Sequence, residues 1–123
     1  MGRIFHDLFV SQQSCDMGFA MDIQLKKGLL EECVLATLYG EPSYGYRILG
    51  DINEVVPMTE STLYPILKRL ESAGCLVTYS EAYNGRLRKY YMLTDMGKQK
   101  LRDFTDEWSK LKAIYDYIVR RSA

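Results

Sequence analysis

Apolar residues recur along this chain first at helical spacing, then at strand spacing, then at helical spacing again. Leu30, Val34, Leu35 and Leu38 form a stripe that predicts a helix over 23–39, stopped by Gly40, Glu41 and Pro42. Ser43 is placed to cap a second helix carrying Ile48, Leu49, Ile52 and Val55 on one face, and Pro57 closes it. A third helix opens near Thr59, where the hydroxyl of Thr59 or Ser61 is expected to cap free N–H groups. Leu63, Ile66, Leu67 and Leu70 give its buried stripe and Gly74 ends it. Pro65 fits that helix if the helix starts late or has an irregular first turn. Residues 76–83 and 89–93 read as strands joined by Asn84-Gly85, a dipeptide suited to tight hairpins. The last helix begins at Thr94 or Asp95 and runs to about Val119, ~37 Å at the α-helical rise.

Within that last helix Leu101, Phe104, Trp108, Leu111, Tyr115 and Ile118 follow one another at spacings of 3, 4, 3, 4 and 3. This is a heptad seam, narrower than the stripe of a helix that covers one side of a small core. It predicts pairing with a second copy; packing on the chain's own first helix is the alternative. Residues 1–20 show no helical periodicity, hold the single histidine, His6, and precede Met21, after which strong patterning begins. They read as an N-terminal extension or leader.

Composition narrows the class. A chain of 123 residues with 47% apolar and 26% charged content suits one globular domain. No apolar run approaches the ~20 residues that span a bilayer. Cys15, Cys33 and Cys75 match no disulfide or metal spacing. Cys33 and Cys75 lie in apolar surroundings, and a reducing, cytoplasmic setting is the default expectation. Catalysis has little to stand on: no histidine outside the leader, no phosphate loop, no paired metal ligands and no cofactor motif. The chain is therefore expected not to be an enzyme and to carry neither metal nor cofactor.

The formal net charge of zero conceals an asymmetry. Residues 1–60 carry 4 basic and 9 acidic side chains (−5), residues 61–93 carry 5 and 2 (+3), and residues 94–123 carry 7 and 5 (+2). The basic middle coincides with the third helix and the hairpin. A helix sized for the major groove, followed by a basic β-ribbon able to lie on phosphate, is the working end of a winged-helix DNA reader. With the leucine stripe turned inward, Thr59, Glu60, Ser61, Thr62, Tyr64 and Lys68 are the residues expected to face DNA, through hydroxyls, one cation and one acceptor. Arg86, Arg88 and Lys89 on the wing are expected on the sugar-phosphate backbone or in the minor groove. Tyr44 opens the second helix and can donate to phosphate, whereas Tyr46 is expected to pack the hairpin against the helices. Tyr90 and Tyr91 alternate on the second wing strand, one inward and one outward, both structural. Trp108, the only tryptophan, can wall a slot for planar ligands or simply pack an interface.

Three ordered segments, YGYRIL at 44–49, STLYPILKRLESAG at 61–74 and NGRLRKYYMLTDMGKQKL at 84–101, with the tryptophan of DEWSKL at 106–111, resemble the PadR family of transcriptional regulators. The resemblance covers about residues 24–119. It implies a mainly α fold with a small β-hairpin: a winged helix-turn-helix domain over 21–93 and one long C-terminal dimerisation helix over 94–123. It further implies a homodimer on a palindromic double-stranded operator, a repressor released by a small planar aromatic effector, and no membrane role. The effector would lie across the dimer interface, lined by Trp108, Phe104 and Leu25. A winged-helix module that binds protein instead of DNA, and a small-molecule binder that has lost its DNA role, are the competing readings.

Overall fold

The computed structural model describes residues 23–123, with side chains from Lys26 onward; the expected leader, with His6 and Cys15, lies outside the described residues. Helix α1 (Ile23–Thr37) buries Leu29, Leu30, Val34 and Leu35, and Leu38 follows them into the core just past its end. The chain turns at Gly40, whose φ of 104° favours a residue without a Cβ.

A two-residue strand, β1 (Ser43–Tyr44), follows directly. Ser43 therefore does not cap the second helix. Its side chain is buried in the sheet, and the N-cap of α2 (Gly45–Asn53) is Tyr44, which supplies no side-chain bond. Helix α2 stops at Asn53 rather than at Pro57, so the residue turned inward after Ile52 is Val56, and the predicted Val55 is 68% exposed. The early stop has a visible cause. Asn53 donates through Nδ2 to the carbonyls of Leu49 (2.8 Å) and Met58 (2.9 Å) and accepts at Oδ1 from the Met58 amide (3.1 Å). One amide side chain thus closes the connection into the third helix.

Helix α3 (Glu60–Ser72) buries Leu63, Ile66, Leu67 and Leu70 as predicted. Its start corrects two expectations. The Thr59 hydroxyl is engaged with those of Ser61 (3.0 Å) and Thr62 (3.3 Å) instead of capping the backbone. Pro65 lies inside the helix, with no late start. Both Pro65 and Ser61, whose carbonyl loses its helical partner, are exposed, so water can take the place of the missing N–H. At the other end Gly74 (φ 83°) lets the Cys75 amide reach the Leu70 carbonyl (2.9 Å) and the Gly74 amide reach that of Glu71 (3.0 Å), a Schellman closure.

Strands β2 (Leu76–Tyr83) and β3 (Arg86–Leu93) form the hairpin, and β1 adds to β3, giving the antiparallel order β1-β3-β2. Asn84 and Gly85 turn with φ of 49° and 77°, the positive pair that a two-residue hairpin of type I′ requires. Strand β3 begins three residues earlier than the alternation suggested because this turn pairs Tyr83 directly with Arg86.

Thr94 caps α4 (Asp95–Ser122), accepting from the Gly97 amide (3.1 Å) while donating to the Gly74 carbonyl (2.6 Å). The first turns of α4 pack on the core through Leu101 and Phe104. A charge network ties the helices together: Glu31 on α1 takes Arg69 of α3 on one carboxylate oxygen (3.0 Å) and Lys100 of α4 on the other (4.0 Å). Lys100 also reaches buried Glu32 (3.4 Å), whose carboxyl is pushed above its ordinary value by burial and pulled back by that cation. Among the described residues no helix is long and apolar enough to cross a membrane.

Candidate nucleic-acid interface

With the leucine stripe of α3 inward, Glu60, Ser61, Thr62, Tyr64 and Lys68 all stand exposed on the opposite side, beside exposed Thr59. The helix therefore offers hydroxyls, a phenol, one cation and one carboxylate together. Its neighbour is a cleft of about 700 Å³ lined by Tyr44, Gly45, Tyr46, Tyr64, Arg86, Leu87, Arg88, Lys89 and Tyr91. Helices α2 and α3 and the wing meet there. Tyr46 is 81% exposed at this edge and does not pack the hairpin, because its position in the first turn of α2 points away from the core that Gly45 and Ile48 enter.

The wing cations do not form one cluster. Residues opposed in register share a face of the sheet, so Arg86 with Tyr83, Arg88 with Glu81 and Tyr90 with Tyr79 lie on one side. Lys89 and Tyr91 lie on the other. On the first side the guanidinium of Arg88 sits 3.9 Å from the Tyr44 ring centre and 3.6 Å from that of Tyr83, and donates to the Tyr90 hydroxyl (3.3 Å). That hydroxyl, with the surrounding phenols, holds the Arg88 pKa above its ordinary value. Tyr90 is itself stacked on Tyr79 (5.3 Å, 7° between planes) and meets Tyr44 edge-on. Arg88 is thus clamped to the wing by aromatic rings, whereas Arg86, next to the turn, is exposed.

On the second side Lys89 lies 3.9 Å from Glu71 of α3 and 5.4 Å from the Tyr91 ring. Burial raises the pKa of Tyr91, with Tyr64 and Glu71 adding to the effect, so its phenol stays neutral. The alternation of Tyr90 and Tyr91 holds: Tyr91 is 6% exposed and Tyr90 faces the tyrosine group. Tyr83 carries no periodic mark of its contact with Arg88, and Tyr90 serves the wing structurally, as its position predicts. The Asn-Gly turn was the usable signal, since a two-residue loop fixes which residues oppose one another.

Trp108 is 37% exposed and stacks on Phe104 one turn earlier (5.8 Å, 16°). A second cleft of about 390 Å³ lies beside them, lined by Glu32, Met96, Gln99, Lys100, Asp103, Phe104 and Glu107. Leu25 is on α1, and its side chain lies outside the described residues. The seam divides: Leu101 and Phe104 pack on the chain's own core, while Trp108, Leu111, Tyr115 and Ile118 are 37%, 53%, 36% and 54% exposed.

Comparison with known proteins identifies the family. The profile of the transcriptional regulator PadR-like family matches residues 34–103, from the last turn of α1 to the first turns of α4. The chain belongs to the PadR-like family. It is 48% identical to a structurally characterised protein of Streptococcus mutans UA159, with a TM-score of 0.70 over 76% of this chain and 89% of that one. A PadR-like transcription factor from Bacteroides fragilis is 35% identical, TM-score 0.70, over 77% and 94%. A PadR family transcriptional regulator of Eggerthella lenta DSM 2243 is 30% identical, TM-score 0.71, over 94% and 96%. A PadR-like chain is a winged-helix transcriptional regulator, and the long terminal helix is part of its fold.

Proposed function

We propose that this PadR-like regulator is a cytoplasmic homodimer that represses transcription from a palindromic operator and is released by a small planar aromatic effector. The observation that supports the DNA face best is the single cleft joining the polar side of α3, the start of α2 and the cationic wing. In this reading Ser61, Thr62 and Tyr64 meet base edges or phosphate, Lys68 and Arg86 neutralise phosphates, and the tyrosine-clamped Arg88 stiffens the ribbon that presents them. Selection of genomic fragments by the purified protein tests the whole proposal. Enriched inverted repeats would support it, and a pool indistinguishable from the input would end it.

The division of labour on the wing makes a separate prediction. Arg86→Ala is expected to lower the slope of log K against log salt by about 1, the loss of one phosphate contact. Arg88→Ala should change that slope less, because its charge is already turned into the rings of Tyr44 and Tyr83. Anisotropy titrations over a range of salt compare the two; equal slope changes would show that the clamp does not hold in solution.

For the effector, the supporting feature is Trp108 stacked on Phe104 beside a cleft whose Glu32, Asp103 and Glu107 outnumber Lys100. That lining suits an aromatic cation. Trp108 is the sole tryptophan, so its fluorescence reports the site alone. Proflavine is expected to quench it saturably and naphthoate to leave it unchanged; the reverse order would contradict the charge argument.

A further inference from the structure

We propose that Gly45 is a positioning residue for Tyr64, its missing side chain forming the seat that fixes this phenol across the start of α2 and against DNA. The proposal rests on the DNA-facing reading of the cleft. Gly45 is buried at the first position of α2 and does not have a positive φ, so its backbone conformation does not call for glycine. Space does. A Cβ placed there would stand 2.9 Å from Tyr64 Cζ and 3.2 Å from Cε1, and nearer still to the hydroxyl oxygen. Real Cβ atoms do not approach so closely, so the ring would have to leave. Gly50, exposed within the same helix, has nothing within 4 Å of its corresponding point, so the constraint belongs to position 45 and not to α2 in general.

The seat matters because of what the ring spans. Tyr64 projects from α3 yet rests on α2, and its other side lines the cleft with Arg86, Leu87, Lys89 and Tyr91. It is 46% exposed, enough for its hydroxyl to meet a ligand in the cleft. Tyr91 lines the same cleft beside it. A phenol held by shape on a second helix is pre-organised, and no ordering cost remains when a phosphate or base edge arrives. A side chain at position 45 would swing it out of register with the wing cations.

The test is a double-mutant cycle on the full chain with Gly45→Ala and Tyr64→Ala, read two ways. With a fluorescein-labelled 30-base-pair duplex of random sequence, each single variant is expected to bind roughly tenfold more weakly, and the double variant no worse than Tyr64→Ala. In thermal melts Gly45→Ala should lower the midpoint when Tyr64 is present and raise it in the Tyr64→Ala background, where the clash with the ring is gone and the better helix propensity of alanine tells. Binding losses that multiply, or a melting effect of the same sign in both backgrounds, would overturn the seat. Wild-type protein that binds no duplex would overturn the DNA reading instead, while the melting cycle still decides whether glycine seats the ring.

Discussion

Replacing Leu111 and Ile118 together by lysine is expected to separate the protein into monomers and to weaken operator binding by at least ~100-fold, the gain that joining two half-site contacts ordinarily confers. Both side chains are more than half exposed on α4, so neither contributes to the monomer's core, and the winged domain should keep its fold. They stand on a continuous apolar line with Trp108 and Tyr115, and the neighbouring Ile114 (57%), Tyr117 (57%) and Val119 (40%) widen it. A 28-residue helix that leaves this much apolar surface uncovered over its second half asks for a partner. Two lysines would place charge where a paired helix needs hydrocarbon. In the proposed dimer, pairing would also serve a geometric purpose, because two reading helices must meet successive major grooves ~34 Å apart. Sedimentation velocity of wild type and variant, followed by anisotropy on the selected operator, checks both halves. A wild-type monomer, or a monomeric variant with undiminished affinity, would remove the dimer from the proposal.

What could be read from the residues in advance, and what could not, divides along a physical line. Long periodic segments declared themselves: the stripe from Leu63 to Leu70, the turn at Asn84-Gly85 and the start of the last helix at Thr94-Asp95 all stand as expected. These signals are local, each needing only residues within a turn or two of one another. The misses were particular side-chain and strand contacts that leave no mark in hydrophobic periodicity. Strand β1 is two residues long, too short for alternation to show, and exists because Ser43 and Tyr44 lie beside Tyr91 and Tyr90. Helix α2 ends early because Asn53 reaches across to Met58, a contact with no periodic signature. The exposed polar face of α3 followed from turning the leucines inward, whereas the Arg88 clamp needed strand register and the close approach of Tyr64 to Gly45 needed two helices in place. Neither a cation–ring contact nor a missing Cβ announces itself at the level of residue type.

The second large effect concerns stability, and it falls on Gly97. Gly97→Ala is expected to destabilise the fold by about 2 kcal/mol and to lower the melting midpoint by about 10 °C, against a gain of up to ~1 kcal/mol that alanine gives in an open helix. The glycine is buried in the first turn of α4 and, like Gly45, does not have a positive φ. A Cβ there would lie 2.8 Å from Leu93 Cδ1 and 3.2 Å from the Cys75 carbonyl carbon, and closer still to its oxygen. None of these neighbours is free to move. The Cys75 carbonyl accepts from the Thr94 amide (3.0 Å), and the Cys75 amide closes α3 on Leu70, so shifting it loosens the end of α3 and the start of α4 together. Gly50→Ala is the matched control. It sits on the exposed side of α2 with open space beyond it, and alanine there should raise the midpoint by the propensity term alone. Opposite signs for the two substitutions are the expected outcome of thermal melts followed by circular dichroism. An added Cβ would push the start of α4 off the Cys75 carbonyl, so on the proposed dimeric reading Gly97→Ala should weaken operator binding even at temperatures where it is fully folded. A variant that melts at or above wild type would mean that α4 does not rest on the Cys75 carbonyl.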